Sequence, residues 1–175
     1  MSSAKQSIAL IGFMATGKST IGPLLAQELE FELIDTDALV EAEIGMSVAD
    51  IFSQLGEEAF RDAEHQALKK ALSIKNRVIS TGGGMILFKR NRKLLADQAF
   101  VVSLSAQPET IYQRVKDDDT RPLLKCQDPL LRIRQMLAER QHYYDACDFK
   151  ISTENWSAED CCQKIKAAFY LKYNE

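Results

Sequence analysis

Gly12-Phe13-Met14-Ala15-Thr16-Gly17-Lys18-Ser19-Thr20 is the stretch from which the rest of this 175-residue chain can be read. It matches G-x-x-x-x-G-K-[ST] at every fixed position. The apolar run Ile8-Ala9-Leu10-Ile11 leads into it as a buried strand would, and Ile21 to Leu29 reads as a helix leaving it. A strand that enters a glycine-rich turn and leaves as a helix gathers unpaired backbone N–H groups at one point. The positive end of the helix dipole lies there too, so such a turn attracts polyphosphate. Lys18 then reaches the β- and γ-phosphates of a nucleotide, and the Ser19 hydroxyl is available to Mg²⁺. The expected ATP contacts along the loop are Ala15, Thr16, Gly17, Lys18, Ser19 and Thr20.

Bulk composition narrows the class. Hydrophobic residues make up 46% and charged residues 27%, as in a soluble globular protein. The length suits a single domain, residues 1–175, with a sheet covered on both faces. A formal net charge of -3 argues against a nucleic-acid surface, so an anionic ligand must be held by local positive charge. No run approaches the roughly 18 apolar residues of a membrane span. Met1 to Ser7 leaves no room for a signal peptide ahead of the first strand, so the expected compartment is the cytoplasm. Cys126, Cys147, Cys161 and Cys162 form no C-x-x-C pair, which disfavours a zinc site or a disulfide framework. Cys161 is expected to pack as a small hydrophobe, and His65 and His142 to be ordinary helix-surface residues.

Strand and helix signals alternate along the chain. Strands are expected at Ile8–Ile11, Glu32–Ile34, Arg77–Ser80, Phe100–Leu104 and Phe149–Ser152. Ser47 reads as a helix N-cap with Asp50 in the first turn, Gly56 as a stop, and Glu57 to Leu72 as a charged amphipathic helix. Leu130, Ile133, Leu137 and Tyr144 make one apolar stripe, and Cys161, Ile165, Ala168 and Phe169 another. Such alternation implies a parallel sheet with right-handed crossovers, hence a three-layer α/β fold. Ligands then gather beyond the C-terminal ends of the strands.

Three further features bear on chemistry. Asp35 and Asp37 of Asp35-Thr36-Asp37, at the end of the second strand, point the same way about 7 Å apart if extended. One could orient Mg²⁺ through water and the other accept from a substrate hydroxyl; alternatively, Asp37 simply caps the next helix. Gly82-Gly83-Gly84 after the third strand suggests close ligand approach, or else a loose turn. Arg61, Arg114, Arg121 and Arg140 offer planar forks for carboxylate or phosphate, although helix arginines usually make only surface ion pairs. Residues 116–128 are polar and aperiodic: either a solvated connector or a mobile lid that carries Arg121 inward.

Taken together, Gly12–Ser19, Asp35-Thr36-Asp37, Phe60-Arg61, Gly82-Gly83-Gly84, Thr120-Arg121-Pro122-Leu123-Leu124 and Glu139-Arg140 resemble the shikimate kinase family in order and spacing. The resemblance spans about residues 8–155 and implies a P-loop kinase fold, with a five-stranded parallel sheet, flanking helices and a lid. It implies transfer of the γ-phosphoryl of ATP to the 3-hydroxyl of shikimate, with Mg²⁺, in a chorismate-forming pathway. Lys18 would stabilise the phosphates, Ser19 would ligate Mg²⁺, and Asp35 would support the metal through water. Asp37 would bind the substrate hydroxyls and accept the proton. Arg61 and Arg140 would grip the substrate carboxylate beside Gly82, Gly83 and Gly84, with Gly83 approaching through its backbone. Arg121 would reach from the lid to the phosphates and Arg114 would lie beside adenine. Two departures stand out. Asp117-Asp118-Asp119 in the lid must face solvent, and Ser152 to Trp156 lacks a basic residue often found in the family's adenine loop. A gluconate or nucleoside monophosphate kinase, or a nucleotide-dependent module without catalysis, is the rival reading. A monomer is expected, with no membrane partner.

Overall fold

The structure, a computed structural model, describes residues 7–118 and 126–173. Its five strands are β1 (Ile8–Gly12), β2 (Glu32–Asp35), β3 (Arg77–Ser80), β4 (Phe100–Ser105) and β5 (Phe149–Ser152). They form one parallel sheet in the order β2-β3-β1-β4-β5. β1 is central: Ile8 pairs with Val78 on one side and Phe100 on the other. Three strands run one residue past their expected ends, to Gly12, Asp35 and Ser105, and the other two match.

The helices are α1 (Lys18–Leu29), α2 (Thr36–Ile44), α3 (Val48–Asp50), α4 (Gly56–Leu72), α5 (Lys89–Gln98), α6 (Pro108–Val115), α7 (Pro129–Asp145) and α8 (Ala158–Tyr173). A π-helical turn, Ile51–Leu55, joins α3 to α4, and a single 3₁₀ turn, Met85–Leu87, precedes α5. Side chains alternate across each strand, and both faces are covered. Ile8 and Leu10 of β1 enter a core with Ile21 and Leu25 of α1 and Ile165 and Phe169 of α8. Ala9 and Ile11 enter the opposite core, with Leu68 of α4, Leu95 of α5, Ile111 of α6 and Ile133 of α7. Burial on both faces is why β1 reads as an unbroken apolar run rather than an alternating one. A third, smaller cluster holds Val40, Ile51, Phe60 and Ala67 and ties α2 to α4.

Local signals act where the sequence put them, with three refinements. Ser47 caps α3 by accepting from the Asp50 N–H, and the backbone turns at Gly56 with φ 87°. On α7 the deepest residues are Ile133, Met136 and Tyr144, while Leu130 and Leu137 are half-buried. On α8 both Cys161 and Cys162 are buried and pack as small apolar groups. His65 departs from expectation: its Nδ1 lies 2.7 Å from Oδ1 of the fully buried Asn91, whose Nδ2 donates to the Met85 carbonyl. It therefore anchors the turn after the triple glycine rather than facing solvent.

Because Leu10 is wholly buried, Leu10→Ala should lower unfolding free energy by about 3 kcal/mol. Urea titration would show this as a lower midpoint at unchanged slope.

Candidate functional site

The loop between β1 and α1 is held by contacts within itself and with the end of β4. A Cβ on Gly12 would stand 2.6 Å from both the Leu104 carbonyl oxygen and Thr16 Oγ1, so only glycine fits. Thr16 is buried and donates its hydroxyl to the Phe13 carbonyl at 2.7 Å, closing the turn. Gly17, at φ 104°, precedes α1 with no side-chain cap, leaving the helix N-terminus available to an anion. Lys18 Nζ donates to the carbonyls of Gly12 at 2.7 Å and Phe13 at 3.0 Å, which lays the ammonium across the loop mouth.

Facing the loop is a wall built by β2, β3 and α4. Asp35 accepts from the N–H groups of Asp37 and Ala38 at 3.0 Å each. Asp35, not Asp37, is therefore the cap of α2. Asp37 is freed for another use, and its Oδ1 is buried without a hydrogen-bond partner. Burial, then the neighbouring Asp35 charge, pushes its carboxyl above the usual range, against Lys18 and Arg61, which draw it down. A buried carboxylate oxygen left unpaired is costly, so this one marks a place for a donor.

The triple glycine lies against these groups. A Cβ on Gly82 would sit 2.7 Å from Asp37 Oδ1, and one on Gly84 2.9 Å from Arg61 Nη1. Gly82 N–H donates to Thr36 Oγ1 at 3.1 Å. At Gly83 the nearest atom to an added Cβ is 3.9 Å away. Gly82 and Gly84 are small for their protein neighbours, whereas Gly83 borders open space in the cleft.

Arg61 is the most firmly held cation in the wall. Nε and Nη2 donate to Glu57 at 3.3 Å, and Nη1 donates to Glu64 at 3.1 Å. The rings of Phe52, Phe60 and Phe88 surround the guanidinium at 5.7, 5.2 and 5.3 Å. Glu64, almost fully buried, is displaced to a pKa of about 7, chiefly by burial and against the pull of Arg61. Arg140 of α7 stacks over Phe13 at 5.7 Å. Lys18, Ser19, Asp35, Asp37, Arg61 and Arg140 all line one cleft of about 320 Å³.

An adjoining cavity of about 400 Å³ shares Ala15, Gly17 and Ser19 and adds Thr20, Arg114 and Trp156. Arg114 donates to the Ala15 carbonyl at 2.7 Å, and Lys164 of α8 lies 3.8 Å over the Trp156 ring. A cation thus reaches the loop after β5 from α8, although the loop itself carries none. Arg121 and the rest of 119–125 lie outside the described residues; Asp117 is exposed and Asp118 half-buried. Among the described residues no three His, Cys, Asp or Glu side chains cluster to hold a metal. Ser19 and Asp35 are hard oxygen donors in the same cleft, which suits Mg²⁺ that takes its other ligands from phosphate and water.

Known proteins resemble this chain over nearly its whole length. The shikimate kinase family profile matches residues 14–169. The chain belongs to the shikimate kinase family. A shikimate kinase of Caldicellulosiruptor bescii is 45% identical over 160 residues, 91% of this chain and 93% of that one. Among solved structures, shikimate kinase from Acinetobacter baumannii in complex with shikimate superposes with a TM-score of 0.90 at 34% identity, covering 97% of this chain and 96% of that one. The Aquifex aeolicus shikimate kinase gives 0.83 at 35% identity, with 96% and 97% covered.

Family motifs drew attention to Asp37, Arg61, Gly83 and Arg140, but not to Glu64, Phe52 or Phe88. The Arg61–Glu64 spacing of three on a helix could have suggested an ion pair. Its burial could not be read, because that depends on β3 and α4 meeting at Gly82.

Gly83→Ala should leave the thermal midpoint within about 2 °C yet raise the KM for shikimate, since only the cleft receives the methyl. Gly82→Ala should lower both stability and activity by displacing Asp37 and Glu64. Differential scanning calorimetry with steady-state kinetics separates the two outcomes.

Glu64 also sets a pH dependence. Between its ordinary pKa of 4.5 and about 7, the folded chain keeps a proton that the unfolded chain has released. Its contribution to stability is therefore full below 4.5 and declines as pH rises through about 7. Denaturant titrations from pH 4 to 8 should show a shallower decline in Glu64→Gln.

Proposed function

We propose that this chain is an ATP-dependent shikimate kinase, transferring the γ-phosphoryl group to the 3-hydroxyl of shikimate in the pathway to chorismate and aromatic amino acids. The observation that carries it is the shared cleft: a phosphate-binding loop faces an unpaired buried carboxylate oxygen and two arginines. Polyphosphate is bound on one side, and a hydroxylated carboxylic acid fits the other.

Each side chain has a distinct task. Arg61, fixed by Glu57, Glu64 and three phenyl rings, presents a pre-oriented fork to the substrate carboxylate, with Arg140 as its counterpart. Gly83 lets the carbocycle approach the backbone, and Gly82 and Gly84 keep the wall flat. Asp37 accepts hydrogen bonds from the hydroxyls and takes the proton as the attacking oxygen bonds to the γ-phosphorus. Its raised pKa favours that role, because a base nearer the working pH holds the proton better. The bond from the γ-phosphorus to the bridging oxygen breaks, and ADP leaves with the charge, met by Lys18, the loop amides and the α1 dipole. Mg²⁺, held by Ser19 with Asp35 behind it through water, would neutralise phosphate charge. Arg121 would add charge from a lid at 116–128, and Arg114 and Trp156 would flank adenine.

The chain works in this reading as one domain, a monomer in the cytoplasm where ATP and Mg²⁺ are supplied, with no nucleic-acid or membrane partner. Large exposed apolar residues such as Ile74, Leu131 and Leu171 come from the turn after α4, from α7 and from α8 and not from one element, which supports a monomer.

Incubation with Mg·ATP and shikimate, gluconate or nucleoside monophosphates tests the acceptor by release of ADP. Only shikimate should be phosphorylated; turnover of another acceptor in its place would refute the reading. Asp37→Asn should cut kcat by roughly 10²–10⁴ while the Kd for ATP changes little. Equal losses in both would make Asp37 structural.

A further inference from the structure

We propose that Arg92 of α5, which lies outside the cleft, is a positioning residue that sets the spacing between the glycine turn and Arg140. The inference rests on the kinase reading and deepens it. Three successive carbonyls of the turn after the triple glycine accept from α5 side chains. Asn91 Nδ2 donates to Met85 at 3.2 Å, and Arg92 Nη1 donates to Ile86 at 2.7 Å and to Leu87 at 2.9 Å. Those bonds alone would only close a turn. The Arg92 guanidinium also lies over the Tyr143 ring of α7, 4.1 Å from its centroid. Arg92 thus joins the glycine turn to the helix that carries Arg140.

Both ends of this link reach the cleft. Leu87, held through its carbonyl, lines the cleft with Gly82, Gly83 and Gly84, and Arg140 lies three residues before Tyr143 on α7. At that helical spacing the two side chains are neighbours on one face. Met85 and Ile86 share a core with Ile133 and Met136 of α7, so turn and helix also meet through apolar side chains. Apolar burial resists their separation but has no direction. A planar cation bonded to two carbonyls and stacked on a ring fixes distance and orientation together. The start of α5 treats the other arginine in the same way. Arg90 Nη2 donates to the Arg61 carbonyl at 3.0 Å and to Asp62 at 2.7 Å, and the Phe88 ring lies 5.3 Å from the Arg61 guanidinium. One helix start thereby registers Arg61, the glycine turn and Arg140 against one another.

Steady-state kinetics and NMR on the full chain test the proposal. Arg92→Met should raise the KM for shikimate roughly tenfold, as a displaced clamp does, with kcat and the KM for ATP within about twofold of the parent. Arg92→Lys should behave like Arg92→Met, because it keeps the charge but loses the planar fork and the flat stack. Tyr143→Leu should raise the same KM, whereas Tyr143→Phe, which retains the ring, should match the parent. Arg92→Met combined with Tyr143→Leu should be no worse than Arg92→Met alone, since both cut one link. If Arg92→Met fails to fold, the two Tyr143 variants still carry the comparison. In the chain without ligands, Arg92→Met should shift the Arg140 Nε–H resonance and Tyr143→Leu the Gly83 amide resonance, each read at the far end of the link. Those shifts do not depend on the acceptor, so a parent that leaves shikimate untouched refutes the kinase reading and not this one. Unmoved resonances, an unchanged KM for shikimate in Arg92→Met and Tyr143→Leu, a parallel rise in the KM for ATP, or parental kinetics in Arg92→Lys would overturn it.

Discussion

The whole site hangs on how closely the backbone after β1 can pass the backbone at the end of β4. At Gly12 there is no room for even one methyl group between the Leu104 carbonyl and Thr16. β1 is hydrogen-bonded on both sides and buried on both faces, so its end is among the least displaceable points of the sheet. The loop inherits that fixity and presents the uncapped N-terminus of α1 without needing a ligand to order it. Preorganised donors of this kind stabilise developing charge without reorganising as it forms.

The opposite wall solves a harder electrostatic problem. Two carboxylates, Asp37 and Glu64, are drawn into a half-dry environment around Gly82, where burial raises the pKa of both and the Asp37 charge adds to the rise at Glu64. Arg61 lies within reach of both and offsets part of the cost, while its aromatic surround removes water without competing for its donors. Geometry divides the labour: Glu64 accepts from Arg61, and Asp37 keeps an oxygen uncommitted. A carboxylate in the cap position could not have done this, which is why it matters that Asp35 caps α2.

Much of this was legible in the chain. β1 and the loop could be read because a buried parallel strand is a short apolar run and Gly12 to Ser19 is a rigid local pattern. All five strands followed from the same contrast between apolar runs and charged helices. What escaped reading is what depends on contacts between elements distant in sequence. Which aspartate caps α2 turns on the last residue of β2 being extended, as Asp35 is, and not helical. His65 looked like a surface residue because nothing nearby in sequence reveals the buried Asn91 across from it. Glu64, Phe52 and Phe88 converge on Arg61 from a helix, a π-helical turn and the start of α5, and no local spacing links them.

The two halves of the cleft also rest on unequal foundations. Lys18 and the loop grow from a sheet clamped between the two large cores, whereas Asp37 and Phe52 ride on segments packed around the smaller cluster of Val40, Ile51, Phe60 and Ala67, and α4, which carries Arg61, reaches a large core through Leu68, Ala71 and Leu72. Fewer buried apolar contacts mean a lower free energy of local opening. The nucleotide side is therefore an anvil and the acceptor side a jaw. Opening of the cleft is then expected from the acceptor side, with the chemistry referenced to the better-buried part.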